Sequence, residues 1–89
     1  LGGDEFALLL SEFKDPSYPS KIGEQIIDTF AKPFKIDNRD LFITPSIGVS
    51  IFPKDGEDSE SLMKNADTAL HFAKKEGKNK LVIYESRMN

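Results

Sequence analysis

Leu41-Phe42-Ile43-Thr44-Pro45-Ser46-Ile47-Gly48-Val49-Ser50-Ile51-Phe52 lies near the middle of the 89-residue chain. Ile43, Thr44, Ile47, Val49 and Ile51 are β-branched, which stiffens χ1 and favours a pleated, extended backbone. The stretch predicts one long strand. Pro45 has no N–H to give to a ladder, so a bulge or a sheet edge is expected there. Gly48 permits another backbone or side chain to approach closely. Asp55-Gly56 is a turn signal that closes the strand.

Working outward toward the N-terminus, Phe34 to Ile36 reads as a short strand joined to the long one through Asp37-Asn38-Arg39-Asp40. Before it, Ile22, Ile26, Ile27 and Phe30 recur at helical spacing, with Lys21, Glu24, Gln25 and Asp28 on the other side. This is an amphipathic helix that opens on Pro19 and ends near Pro33. Gly23 inside it costs roughly 1 kcal/mol relative to Ala. Residues 15–20 form the loop before it. At the N-terminus, Gly2-Gly3 accepts positive φ at both positions, as a tight hairpin turn requires, and the apolar run Phe6 to Leu10 follows at once. That run reads as a strand covered on both faces, the second of a hairpin. A short buried helix has the same periodicity, and the turn before it decides for a strand. A start without Met and directly on a turn reads as a cut through a domain.

Toward the C-terminus, Asp58 suits the N-cap of a last helix because its carboxylate can accept from the free amides of the first turn. Leu62, Ala66, Ala69, Leu70 and Ala73 supply its buried face, and the small residues among them imply close packing on a sheet. Lys74 and Lys75 complement the helix C-terminus, and Gly77 supplies a left-handed stop. Leu81 to Tyr84 is a final strand, and Glu85 to Asn89 a polar tail. The order strand, helix, strand, strand, helix, strand predicts an α+β fold with helices against an antiparallel sheet.

Twelve basic against 15 acidic residues give a net charge of -3, which supplies no general field for a nucleic-acid backbone. With no Cys there are no disulfides or thiolate metal sites, which fits a reducing compartment; the cytoplasm is the default location. No apolar run approaches the ~20 residues of a membrane-spanning helix, so no membrane contact is expected from this segment.

Three features carry candidate chemistry. Asp4 and Glu5 stand at the hairpin tip: such acids are commonly solvated, but beside glycines a hard carboxylate oxygen also suits Mg²⁺ with nucleotide phosphates. Lys74 and Lys78, four residues apart around the end of the last helix, either interact with the dipole and water or neutralise a triphosphate. His71 lacks any Cys or second His to complete a zinc set and is expected to act in packing. There is no P-loop or dinucleotide fingerprint.

Three blocks in order, Gly2-Gly3-Asp4-Glu5-Phe6, then Ser46 to Asp58 (SIGVSIFPKDGED) and Asn65 to Asn79 (NADTALHFAKKEGKN), resemble a GGDEF domain from its signature turn to its last strand. The resemblance covers essentially the whole chain and corresponds to about the C-terminal half of the family domain. It implies a partial domain over residues 1–85, with 86–89 as the start of a linker. The implied fold is similar to the palm of nucleotidyl cyclases, an antiparallel sheet flanked by helices.

The implied activity is diguanylate cyclase chemistry, in which two GTP molecules, each held by one subunit of a homodimer, condense to cyclic di-GMP with Mg²⁺ or Mn²⁺. Residue by residue, Asp4 matches the acid that ligates metal and activates the 3′-hydroxyl, and Glu5 the second signature acid. Gly2 and Gly3 match the turn over which the nucleotide lies. Lys74 matches a Lys that contacts the phosphates, and Lys78 a position that is commonly Arg. His71 stands where Tyr is frequent, a departure expected to affect packing rather than catalysis.

The resemblance also places the other metal-binding Asp and the guanine-reading residues in a preceding part of the domain. The 89 residues alone are therefore expected not to make cyclic di-GMP. Their unpaired sheet edges are a template for dimerisation, strand exchange or aggregation. Two alternatives stand beside the cyclase: a GTP-binding regulatory domain that controls an attached EAL phosphodiesterase, to which the tail Tyr84 to Asn89 would lead, and a structural interaction module.

Overall fold

The computed structural model describes residues 4–11, 14–77 and 79–89. In chain order the elements are strand β1 (Glu5–Leu10), helix α1 (Tyr18–Ala31), strands β2 (Phe34–Ile36), β3 (Arg39–Leu41) and β4 (Ser46–Ile51), helix α2 (Ser59–Lys75) and strand β5 (Lys80–Ile83). A single 3-10 turn, Ser86–Met88, ends the chain. The expected order of strands and helices is present, within the expected class of helices and sheets.

The pairing differs from the expectation. β1, β4 and β5 form a three-stranded sheet in that order, and both pairs are parallel: Glu5 lies opposite Ser46, and Ser46 opposite Lys80. The cause is connectivity, since α1 with the small hairpin separates β1 from β4, and α2 separates β4 from β5. Each is a crossover that returns the chain to the starting end of the sheet, as parallel neighbours require. Antiparallel pairing is confined to β2 and β3.

Two local expectations are corrected as well. The stretch 41–52 is not one strand, because β3 ends at Leu41 and β4 starts at Ser46. Pro45 is buried at the break, neither at an edge nor in a bulge, and the first donor after it, Ser46 N–H, bonds the Asp4 carbonyl at 2.8 Å. A residue without an N–H thus ends the irregular stretch where the ladder begins. The turn before β3 is two residues, not four: Asp37 and Asn38 take φ of 52° and 63°, the left-handed pair of a type I′ hairpin.

Side-chain alternation places the layers. β4 is buried at five of its six positions, as expected of a strand covered on both faces. β1, for which that cover was predicted, is only half-buried, with Leu9 39% exposed, because it lies at the edge of this sheet. Ile47 and Val49, fully buried, point to the α1 side. Their register partners Phe6 and Leu81 meet α1 there: Phe6 stacks on Phe30 with centroids 5.5 Å apart, and Leu81 lies against Gly23. Phe30 in turn touches Phe34 of the hairpin at 5.7 Å.

Ser46, Gly48 and Ser50 point the other way, toward α2. A Cβ on Gly48 would run into the Ala66 carbonyl oxygen and the Leu70 amide, and Ser50 Oγ donates to the Leu62 carbonyl at 2.8 Å. The predicted face Leu62, Ala66, Ala69, Leu70 and Ala73 is buried against this side. Small residues on both partners bring helix backbone onto strand backbone.

The ends of α2 follow the sequence. Asp58 Oδ1 accepts from the Ser61 N–H at 2.7 Å, and Gly77 takes a φ of 113°. Between β4 and α2, the buried Asp55 accepts the Ile51 N–H on Oδ2 at 2.8 Å, while its carbonyl accepts from Asn65 Nδ2 at 2.6 Å. That turn fixes how α2 departs from the sheet.

Candidate functional site

Both acidic residues of the first block sit where β1 begins. Asp4 immediately precedes the strand and is exposed, with its backbone fixed by the bond from Ser46. Glu5 is the first strand residue. Period-two alternation puts Glu5 with Ala7 and Leu9 on the side of the sheet that α2 covers. Lys74, in the last turn of α2, reaches back to the same corner.

Lys74 Nζ donates to Glu5 Oε2 at 2.9 Å, joining residues 69 apart in the chain. The two side chains are 39% and 51% exposed, so water screens the pair and it contributes at most about 1 kcal/mol to stability. Its importance is positional. It brings a carboxylate of the first block and a cation of the last block into one place.

That place is an open depression of about 290 Å³ lined by Glu5, Asp67, Leu70, His71 and Lys74. The four residues from α2 fall at positions 67, 70, 71 and 74, one stripe of a helix. Asp67 is a member that the sequence reading did not single out, although its spacing from Lys74, two turns earlier, was there to be read. His71 was expected to act in packing; it is exposed and faces the depression instead. A larger depression of about 470 Å³, lined by Ile36, Asp37, Arg39 and Leu41, shares no residue with this cluster. Gly2, Gly3 and Lys78, also expected at the site, lie outside the described residues.

The corner lies at the amino ends of the parallel strands, where β1, β4 and β5 start at Glu5, Ser46 and Lys80. Open α/β sheets usually bind ligands at the carboxyl ends, so a rule based on sheet type would have pointed to the opposite edge. The donor chemistry, not the topology, marks the place.

A divalent ion is implied by the resemblance, and the residues present fit it in part. Asp4 offers exposed, hard carboxylate oxygens of the kind Mg²⁺ takes, and Glu5 is next to it, paired with Lys74. Among the described residues no group of three or more His, Asp or Glu side chains is arranged to hold a metal ion. Asp4 fits as one ligand of an ion that takes its remaining ligands from phosphate, water or other protein groups.

Comparison with known proteins bears on the family of the chain. The family described as diguanylate cyclase, GGDEF domain, matches residues 1–80. The chain is 38% identical over 89 residues to the bifunctional diguanylate cyclase/cyclic di-GMP phosphodiesterase MucR of Pseudomonas aeruginosa, covering all of this chain and 13% of that protein. It is 35% identical over 86 residues to the cyclic di-GMP phosphodiesterase NbdA of the same organism, covering 97% of this chain and 11% of that protein. The chain thus spans a small part of the curated relatives it matches. An X-ray structure of an EAL/GGDEF domain protein from M. capsulatus superposes with a TM-score of 0.74 at 38% identity, over 81% of this chain and 46% of that one.

Proposed function

The chain belongs to the diguanylate cyclase GGDEF-domain family, and from that membership we propose that its Asp4, Glu5 and Lys74 corner is one side of a GTP site in cyclic di-GMP signalling. The observation that carries the reading is the meeting of Glu5 with Lys74 beside Asp4. Residues of the first and last family blocks converge although α1 and strands β2, β3 and β4 lie between them in the chain.

In this reading Lys74 Nζ takes a phosphate oxygen of GTP, and the stripe below it, His71 and Asp67, borders the bound phosphates. Asp4 supplies a ligand to Mg²⁺ or Mn²⁺, which, when bound, polarises the phosphates and lowers the pKa of the attacking hydroxyl. Gly2 and Gly3 leave room for the nucleotide, and Lys78 adds positive charge without the bidentate fork of an Arg. The reacting partner is a second GTP held by a second subunit. Residues 1–85 act as part of the domain and 86–89 begin a linker in the cytoplasm. The 89 residues by themselves do not turn GTP over, because a single carboxylate ligand holds Mg²⁺ weakly.

A second reading, a GTP-binding regulatory domain attached to an EAL phosphodiesterase, is favoured by the relatives whose names carry that activity. GTP titration of the full-length protein, with and without Asp4→Ala, separates the readings. Turnover lost on substitution identifies a cyclase, and binding without turnover a regulatory domain. Absence of binding leaves an interaction module and rejects the nucleotide site.

A further inference from the structure

The Glu5–Lys74 pair raises a question of its own: an ammonium assigned to phosphate is already matched to a carboxylate. We propose that Glu5 is an internal competitor for the anion that Lys74 takes, so that phosphate binds by displacing this carboxylate. The inference rests on the phosphate role given to Lys74 above.

Three observations carry it. The 2.9 Å separation makes a charge-assisted hydrogen bond, so Glu5 is the counter-ion that Lys74 has in place. Both side chains are partly exposed, at 39% and 51%, so an anion from solvent can reach the ammonium and the carboxylate has water to retreat into. Their backbones are held by regular structure: Glu5 begins the β1–β4 ladder, and α2 lies on Gly48. The contact is therefore set by the fold.

Asp67 provides an internal control. It lines the same depression and carries the same charge, but among the described residues Lys74 is bonded to Glu5 and not to Asp67. A general electrostatic effect on an incoming anion would be shared by the two carboxylates. Competition for Lys74 belongs to Glu5.

The test uses the full-length protein at low ionic strength, with inorganic pyrophosphate as probe and a chelator to remove divalent ions, read by isothermal titration calorimetry. Glu5→Gln, which keeps the size and removes the charge, is expected to tighten pyrophosphate binding by about two- to five-fold, the scale of an exposed ion pair. Glu5→Ala should shift it in the same direction, and Asp67→Asn by clearly less. Lys74→Met should weaken binding and abolish the gain from Glu5→Gln in the double variant. Unchanged or weaker binding in Glu5→Gln, or an equal gain in Asp67→Asn, would overturn the competition while leaving the nucleotide site standing. A wild-type protein that binds neither pyrophosphate nor GTP would overturn both.

Discussion

Replacing Gly48 by Ala adds one methyl group at the point where β4 and α2 touch through their backbones. The new Cβ would overlap the Ala66 carbonyl oxygen and the Leu70 amide nitrogen, and would lie 2.8 Å from Leu70 Cα, where ordinary contacts begin at 3.4 Å. None of these atoms belongs to a side chain that can turn away. The helix must retreat by roughly an ångström, opening gaps along the Ala66, Ala69 and Ala73 face in an interior packed as densely as a crystal. Overpacking costs about 1–3 kcal/mol, and a clash with backbone belongs at the top of that range, about 3 kcal/mol.

For a domain of this size that corresponds to a fall in Tm of about 12–24 °C. Thermal and urea unfolding followed by circular dichroism measure it, with two glycine controls. At Gly23 the obstacle is the Leu81 side chain, which can move, and the gain in helix propensity of about 1 kcal/mol offsets the contact. At Gly77 nothing lies within 4 Å, and only the strain of positive φ, about 1 kcal/mol, remains. A Gly48→Ala loss below about 0.5 kcal/mol, or one no greater than that of Gly77→Ala, would refute the close backbone approach.

Asp58→Ala removes the acceptor for the Ser61 N–H and should cost about 1 kcal/mol in the same unfolding assay, with Asp58→Asn recovering most of it. Ser50→Ala deletes the buried hydroxyl bonded to the Leu62 carbonyl and should cost about 0.5–1.5 kcal/mol; a neutral result would show that the bond does not tie α2 to β4. Asp15 is held below the usual carboxylate range by the Ser17 amide, then by the Ser17 hydroxyl and Lys21. Because the folded-state value is depressed, its contribution is present above the ordinary Asp range and lost as pH falls through the folded value. Asp15→Asn should therefore lower stability by a constant amount above about pH 5, converge on the wild type as pH falls through the folded value, and so flatten the acid limb of the stability-pH curve.

Much of the fold was legible because local chemistry agreed with the final structure. Asp58 and Gly77 bounded α2, its alanines marked the buried face, and the Ile22, Ile26, Ile27 and Phe30 stripe located α1. Strand pairing was not legible, since an apolar run such as Phe6 to Leu10 does not reveal its neighbour or its direction. Pro45 illustrates the difficulty: its missing N–H led to an expected bulge or edge within one long strand, whereas it stands buried at the boundary before β4, a placement that depends on the strand beside it.

Gly23 was read as a small helix penalty because its partner, Leu81, is 58 residues away; in the fold it is the point where α1 meets β5. At the candidate corner, Asp4, Glu5 and Lys74 were singled out from residue type and family resemblance, and the fold brings Glu5 and Lys74 together. The helical spacing of Asp67 and His71 from Lys74 was readable too, but their place beside Glu5 was not, because it exists only once α2 lies across the start of β1.

The central claim concerns Asp4, and the most direct measurement is chromatographic detection of cyclic di-GMP formed from GTP and Mg²⁺ by the full-length protein and by its Asp4→Ala variant. The account predicts product from the first and a loss of at least about a hundred-fold in the second, the scale of removing a group that acts on the reacting atoms. Product formation at an undiminished rate by Asp4→Ala would contradict it.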